Sequence, residues 1–98
     1  MEVNRIENDP ELQKVLWACY EYWQREILPP ENRAICYSWV VRLYQDRFGA
    51  RFHQSKLRHL AKLGFLQEDD TARDRQRRYY KLKEPDRLAE LLQRWNLL

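Results

Sequence analysis

The sequence predicts a mainly α protein with a small antiparallel β-hairpin, an α+β fold. Three observations predict it. Apolar residues recur at three- and four-residue spacing through most of the chain, the period of helices with one buried face. Two short segments, Phe65-Leu66-Gln67 and Arg77-Arg78-Tyr79-Tyr80-Lys81-Leu82, read as strands on either side of a polar stretch. Only 2 Gly and 4 Pro interrupt 98 residues, which favours helices joined by short turns.

The elements follow in order. Asp9-Pro10-Glu11 is a helix start, with Asp as the cap and Pro in the first turn. Leu12, Leu16, Cys19, Trp23 and Ile27 then form one stripe, flanked by Val15 and Tyr20, until Pro29-Pro30 stops it; the helix spans 10–28. Residues 33–36 are a short extended piece. A second helix over 38–48 buries Val40, Val41, Leu43, Tyr44 and Phe48, and Gly49 closes it in the left-handed conformation. A tight turn leads to a third helix over 52–63, closed by Gly64, so two short helices and a turn form a helix-turn-helix. The hairpin occupies 65–82, and its tip lacks the Asn-Gly or Asp-Gly of a tight turn. Glu84-Pro85-Asp86 opens a last helix over 85–96 with Leu88, Leu91, Leu92 and Trp95 on one side and Leu98 extending the stripe. With 44% hydrophobic residues and no internal repeat or linker, the chain reads as one domain, 1–98, around one core.

Charge is distributed unevenly. Residues 1–32 carry 3 basic and 7 acidic side chains, a net of −4, whereas residues 33–98 carry 15 and 8, a net of +7. Such asymmetry points one face toward a polyanion. Cys19 and Cys36 lack metal-ligand spacing and read as reduced core thiols. No stretch approaches the roughly 18 apolar residues of a membrane span, and the N-terminal residues lack the pattern of a signal peptide, so the expectation is a cytoplasmic protein with no membrane partner. Enzymatic chemistry finds no support. His53 and His59 fall on different helix faces, which excludes a two-histidine metal clip there, and no Gly-rich phosphate loop exists, so neither metal nor cofactor is expected.

The third helix has two chemically distinct sides. At 100° per residue, Leu57, Leu60 and Gly64 share one face. The other carries Ser55, Arg58, His59 and Lys62, with Arg51 and Gln54 beside them. Arg can donate two hydrogen bonds to guanine and Gln can pair with adenine, so this face suits the major groove of double-stranded DNA. In the hairpin Arg73, Arg75 and Arg77 alternate onto one side, a basic ridge for backbone phosphate or the minor groove. Arg78 faces the other way, toward an acid such as Glu68. Glu68, Asp69, Asp70 and Asp74 repel phosphate; they either pair with the neighbouring arginines or limit non-specific affinity. One of Tyr79 and Tyr80 faces the core.

At QSKLRHLAKLGFL followed by RQRRYYKL the chain resembles winged helix-turn-helix regulators of the MarR and PadR type. Leu57, Leu60, Leu63, Gly64, Phe65 and Leu66 match the end of their recognition helix, and Arg77, Arg78, Tyr79, Tyr80 and Leu82 match their return strand. The resemblance covers roughly residues 36–83. It implies a three-helix core with a wing and a C-terminal helix, sequence-specific DNA binding, and transcription regulation. Trp17, Tyr20, Tyr22 and Trp23 span a wide arc of the first helix, more than so short a chain buries easily. The expectation is therefore a homodimer through the terminal helices, with recognition helices about 34 Å apart on DNA. The alternative is a winged-helix protein–protein interaction module that uses the same aromatic surface without touching DNA.

Overall fold

Asp9 and Pro10 start the first helix as their chemistry requires. The Asp9 carboxylate accepts the Leu12 N–H at 3.1 Å, and Pro10 occupies a position where a missing N–H leaves no bond unmade. The computed structural model describes residues 1–69 and 77–98. Among them α1 runs Pro10–Arg25, β1 Ile35–Cys36, α2 Tyr37–Phe48, α3 Ser55–Lys62, β2 Leu66–Glu68, β3 Tyr79–Leu82 and α4 Pro85–Arg94. Short 3-10 turns stand at Val3–Arg5 and Pro30–Asn32. The described residues are mainly helical with one small antiparallel sheet, an α+β architecture.

The sheet has three strands rather than a bare hairpin. The extended piece before α2 becomes β1 and pairs with β3, Ile35 opposite Tyr80 and Cys36 opposite Tyr79. On the other edge β2 pairs with β3, Leu66 opposite Leu82 and Glu68 opposite Tyr80, so the order is β1-β3-β2. Period-two alternation then puts Leu66, Glu68, Arg78, Tyr80 and Leu82 on one face. Leu66 and Tyr80 are buried there, and the same face turns charged toward the hairpin tip, at Glu68 and Arg78.

Five helix boundaries differ from the sequence expectation, the end of the third, at Lys62 instead of residue 63, by a single residue. The first helix, expected over 10–28, stops at Arg25, because Glu26 turns extended at φ −70°, ψ 137°. Arg33 fixes this end: its Nε donates to the Leu28 carbonyl at 2.7 Å and its guanidinium lies 4.6 Å from the Trp23 ring centre. Ile27 consequently leaves the stripe and is 97% exposed. The second helix begins one residue early, at Tyr37. The third, expected over 52–63, begins only at Ser55, because Phe52 is drawn into the core from the turn and the Tyr37 hydroxyl donates to its carbonyl at 2.5 Å. The last, expected over 85–96, ends at Arg94, and Asn96 takes a left-handed φ of +59° beyond it.

One hydrophobic cluster joins Leu12, Val15, Leu16 and Cys19 of α1, Val40, Val41 and Tyr44 of α2, Leu57 and Leu60 of α3, and Leu88, Leu91 and Leu92 of α4. Residues 1–9, which carried no expected element, join it. Ile6 is fully buried, the Glu2 N–H donates to the Leu63 carbonyl at 2.8 Å, and Glu7 accepts from Trp95 Nε1 at 3.2 Å while pairing with Arg94. Gly64, at φ +86°, lets this segment approach: a Cβ there would sit 3.2 Å from the Met1 nitrogen.

The fold itself covers part of the aromatic arc of α1, with Tyr22 and Trp23 half-buried, because neighbouring elements supply matching rings and guanidinium groups. Trp17 and Tyr20 are buried. Arg47 lies 4.4 Å from the Trp17 ring centre, Tyr22 stacks on Trp39 at 5.3 Å, and Trp39 meets Tyr79 edge-on at 5.7 Å. The large hydrophobic side chains left exposed among the described residues are Ile27, Leu28 and Leu98.

Candidate nucleic-acid interface

The site is built on α3. Its leucines point inward, Leu57 and Leu60 both fully or nearly fully buried, so helical geometry forces Arg58, His59 and Lys62 outward, where all three are exposed. Ser55 is half-buried at the start of the helix. Its backbone N–H donates to His53 Nδ1 at 3.1 Å, and its hydroxyl lies 2.9 Å from the same nitrogen. By accepting that N–H, His53 acts as a side-chain cap for the first turn. Ser55 is thus partly engaged within the protein. Gln54 and Arg51 are exposed but lie in the turn before α3, not on its outer face.

Not every cation near α3 belongs to this face. Lys56 turns toward α1, its Nζ 2.9 Å from Glu11, and the carboxylate raises the lysine pKa above its usual value. Lys81 turns toward the opposite sheet edge and donates to the Glu31 carbonyl at 2.9 Å. The cations that remain on the face converge on the gap between α3 and β3.

That gap holds two adjoining recesses. The first, about 410 Å³, is enclosed by Tyr37 and Ser38 at the start of α2, Gln54 and Arg58 on the α3 side, and Arg77 and Arg78 before β3. Its floor is Cys36, Leu57 and Tyr80. The second, about 810 Å³, lies between Ser55, Arg58, His59 and Lys62 of α3 and Glu68, Arg78 and Tyr80 of the sheet. Arg58, Arg78 and Tyr80 line both. Burial raises the Tyr80 hydroxyl pKa, Glu68 raises it further, and Arg78 and Arg58 oppose the shift.

Seven of the nine residues expected to contact a nucleic acid lie among the described residues. Gln54, Ser55, Arg58, His59, Lys62 and Arg77 line the two recesses; Arg51 is exposed on the turn nearby. Arg73 and Arg75 lie outside the described residues. Arg78 does face Glu68, at 3.8 Å. It also lines both recesses, as Tyr37 and Ser38 line the first; these three were not among the expected site residues. The signal for Arg78 was its alternation with Tyr80, which was unreadable while either tyrosine could be the buried one. Tyr37 and Ser38 gave no signal, since only the pairing of β1 with β3 brings the start of α2 beside α3.

Chemically the gap offers guanidinium and ammonium donors, an amide, hydroxyl groups and one carboxylate over a largely apolar floor, a set able to hold an extended anion. Among the described residues no group of three or more His, Cys, Asp or Glu side chains is arranged to hold a metal ion, and no helix is long and apolar enough to cross a membrane. Cys19 and Cys36 are free and buried. Compared with protein-family models, curated proteins and solved structures, the chain matches none.

Proposed function

We propose that this chain is a winged helix-turn-helix protein that binds double-stranded DNA sequence-specifically and regulates transcription. The observation that carries the reading is the gap between α3 and β3, where Arg58, Lys62, Arg77 and Arg78 converge around Gln54 and His59. The element order α1-β1-α2-α3-β2-β3-α4, with β3 central in the sheet, fits a helix-turn-helix followed by a wing. In this reading α3 enters the major groove, with Arg58 and Gln54 placed for bidentate base contacts and Lys62 and His59 for phosphate. The hairpin, including Arg73 and Arg75, follows the backbone or the minor groove. The protein performs no catalysis, needs no cofactor, and works in the cytoplasm.

The rival reading, a protein-interaction module, needed an exposed aromatic surface on α1. Those rings are largely used inside the fold, which favours DNA. Two copies would pair through their terminal helices, with Leu98 and the Ile27-Leu28 loop as the apolar surface available to them.

Fluorescence anisotropy of a labelled random duplex at two salt concentrations tests the proposal. Binding should weaken steeply with salt as phosphate counter-ions are released. After site selection, Arg58→Ala should lose about 1–3 kcal/mol on the selected site and far less on random DNA. No binding at low salt would refute the DNA reading.

A further inference from the structure

Among the described residues lining the two recesses, Glu68 alone is acidic. Its position is not accidental to the sheet. Strand alternation sets it on the same face as Leu66, and its cross-strand neighbour is Tyr80, so the carboxylate emerges where the apolar face ends and the basic gap begins. There it stands 3.8 Å from Arg78, with the side chains of Arg78 and Glu68 60% and 49% exposed. Ion pairs this open to water are weak and exchange readily. Arg58, His59 and Lys62 face the same recess, so any polyanion entering it meets these groups and Arg78 together with the negative charge of Glu68.

We infer that Glu68 is an affinity-limiting residue of the DNA interface: it holds Arg78 in the free protein and surrenders it to a backbone phosphate on binding. The inference rests on the DNA reading above and says how that same site is tuned. In the free protein the carboxylate neutralises one of the guanidinium groups that a phosphate would use. When DNA enters, Arg78 exchanges one oxyanion for another, while Glu68 remains near the phosphates and repels them. Each duplex, whatever its sequence, is therefore held more loosely than the bare count of cations allows. The restraint falls on the electrostatic part of binding, which is the part that random DNA shares with a true site. The Glu68 side chain is half exposed beside Tyr80, so Gln, which keeps its length and shape, removes the charge with little change in packing.

The test compares the full chain with Glu68→Gln, Arg78→Gln and the double variant, each titrated against a labelled random duplex across a range of salt, after thermal melts show that all four fold. Glu68→Gln should bind about five-fold tighter at low salt, the scale set by releasing an exposed ion pair. Its log–log salt slope should steepen by about one, as one more net positive charge meets phosphate. Most of that gain should vanish when Arg78 is also Gln. Unchanged or weaker binding by Glu68→Gln would overturn the inference, as would a gain that survives intact in the double variant. If the wild-type chain binds well while Glu68→Gln behaves identically, only this inference falls. If no variant and no wild type binds any duplex, the DNA reading falls with it.

Discussion

Tyr22, Tyr44 and Tyr80 show how a residue's surroundings become a property of the whole protein. Burial is the main cause that pushes each hydroxyl above the ordinary tyrosine value of 10.0, and nearby Glu26, Glu11 and Glu68 respectively push further. Lys56, held by Glu11, is raised above 10.5. In all four cases the folded state keeps its proton to higher pH than the unfolded chain does. Above pH 10 the unfolded state therefore binds fewer protons, and stability falls as pH rises. For Lys56 the ion-pair contribution is present below pH 10.5 and is lost as pH climbs through the raised value. Denaturant midpoints should hold steady to about pH 10 and then drop, with part of the tyrosine absorbance at 295 nm appearing only as the chain unfolds. A midpoint unchanged beyond that range would contradict these burial assignments. Cys19 follows the same physics: complete burial raises its thiol pKa and leaves it inert while the chain is folded.

At the scale of elements, the end of α2 and the start of α3 are held by different devices. Gly49 closes α2 at φ +69°, its N–H donating to the Gln45 carbonyl at 2.9 Å. A Cβ at Gly49 would meet nothing within 4 Å, so replacing it tests backbone strain with no clash added. Gly49→Ala should cost about 1 kcal/mol and lower Tm by about 4–8 °C. An unchanged melt would show that the turn relaxes out of the left-handed region. The start of α3 relies instead on His53 capping Ser55 and on Phe52 buried behind it. That combination is why the helix begins later than expected: Phe52 enters the core from the turn and not from the helix.

At the scale of the molecule, charge and surface bear on the proposed binding of DNA and pairing of copies. The first 32 residues are net acidic and the rest net basic. In the proposed complex α1 and the N-terminal segment face away from the nucleic acid and α3 with the hairpin faces it. Light scattering at micromolar concentration should report twice the 12.2 kDa chain mass if the terminal helices pair. A mass of one chain would restrict the reading to a single half-site, since stable pairs bury about 800 Å² per partner.

Much of this was legible because it depends on local rules. Asp9-Pro10, Gly49, the leucines of α3 and the basic excess after residue 32 each act through nearest neighbours or through composition, and a linear pattern suffices to read them. The mainly α fold with its small antiparallel sheet follows from them, as does the outward face of Arg58, His59 and Lys62. What depends on partners distant in sequence was not legible. Where α1 ends is set by Arg33, the third strand exists because Ile35 meets Tyr80, and the segment of the buried Ile6 is tied through Glu7 to Arg94 and Trp95 at the far end of the chain. The aromatic side chains of α1 looked like an unpaired surface until Trp39, Arg47 and Arg33 closed over them. The sequence by itself determined which residues could be polar donors on α3; tertiary structure alone decided that Arg78, Tyr37 and Ser38 stand beside them, because strand pairing fixes which side of β3 is inside and hence which arginine reaches the gap.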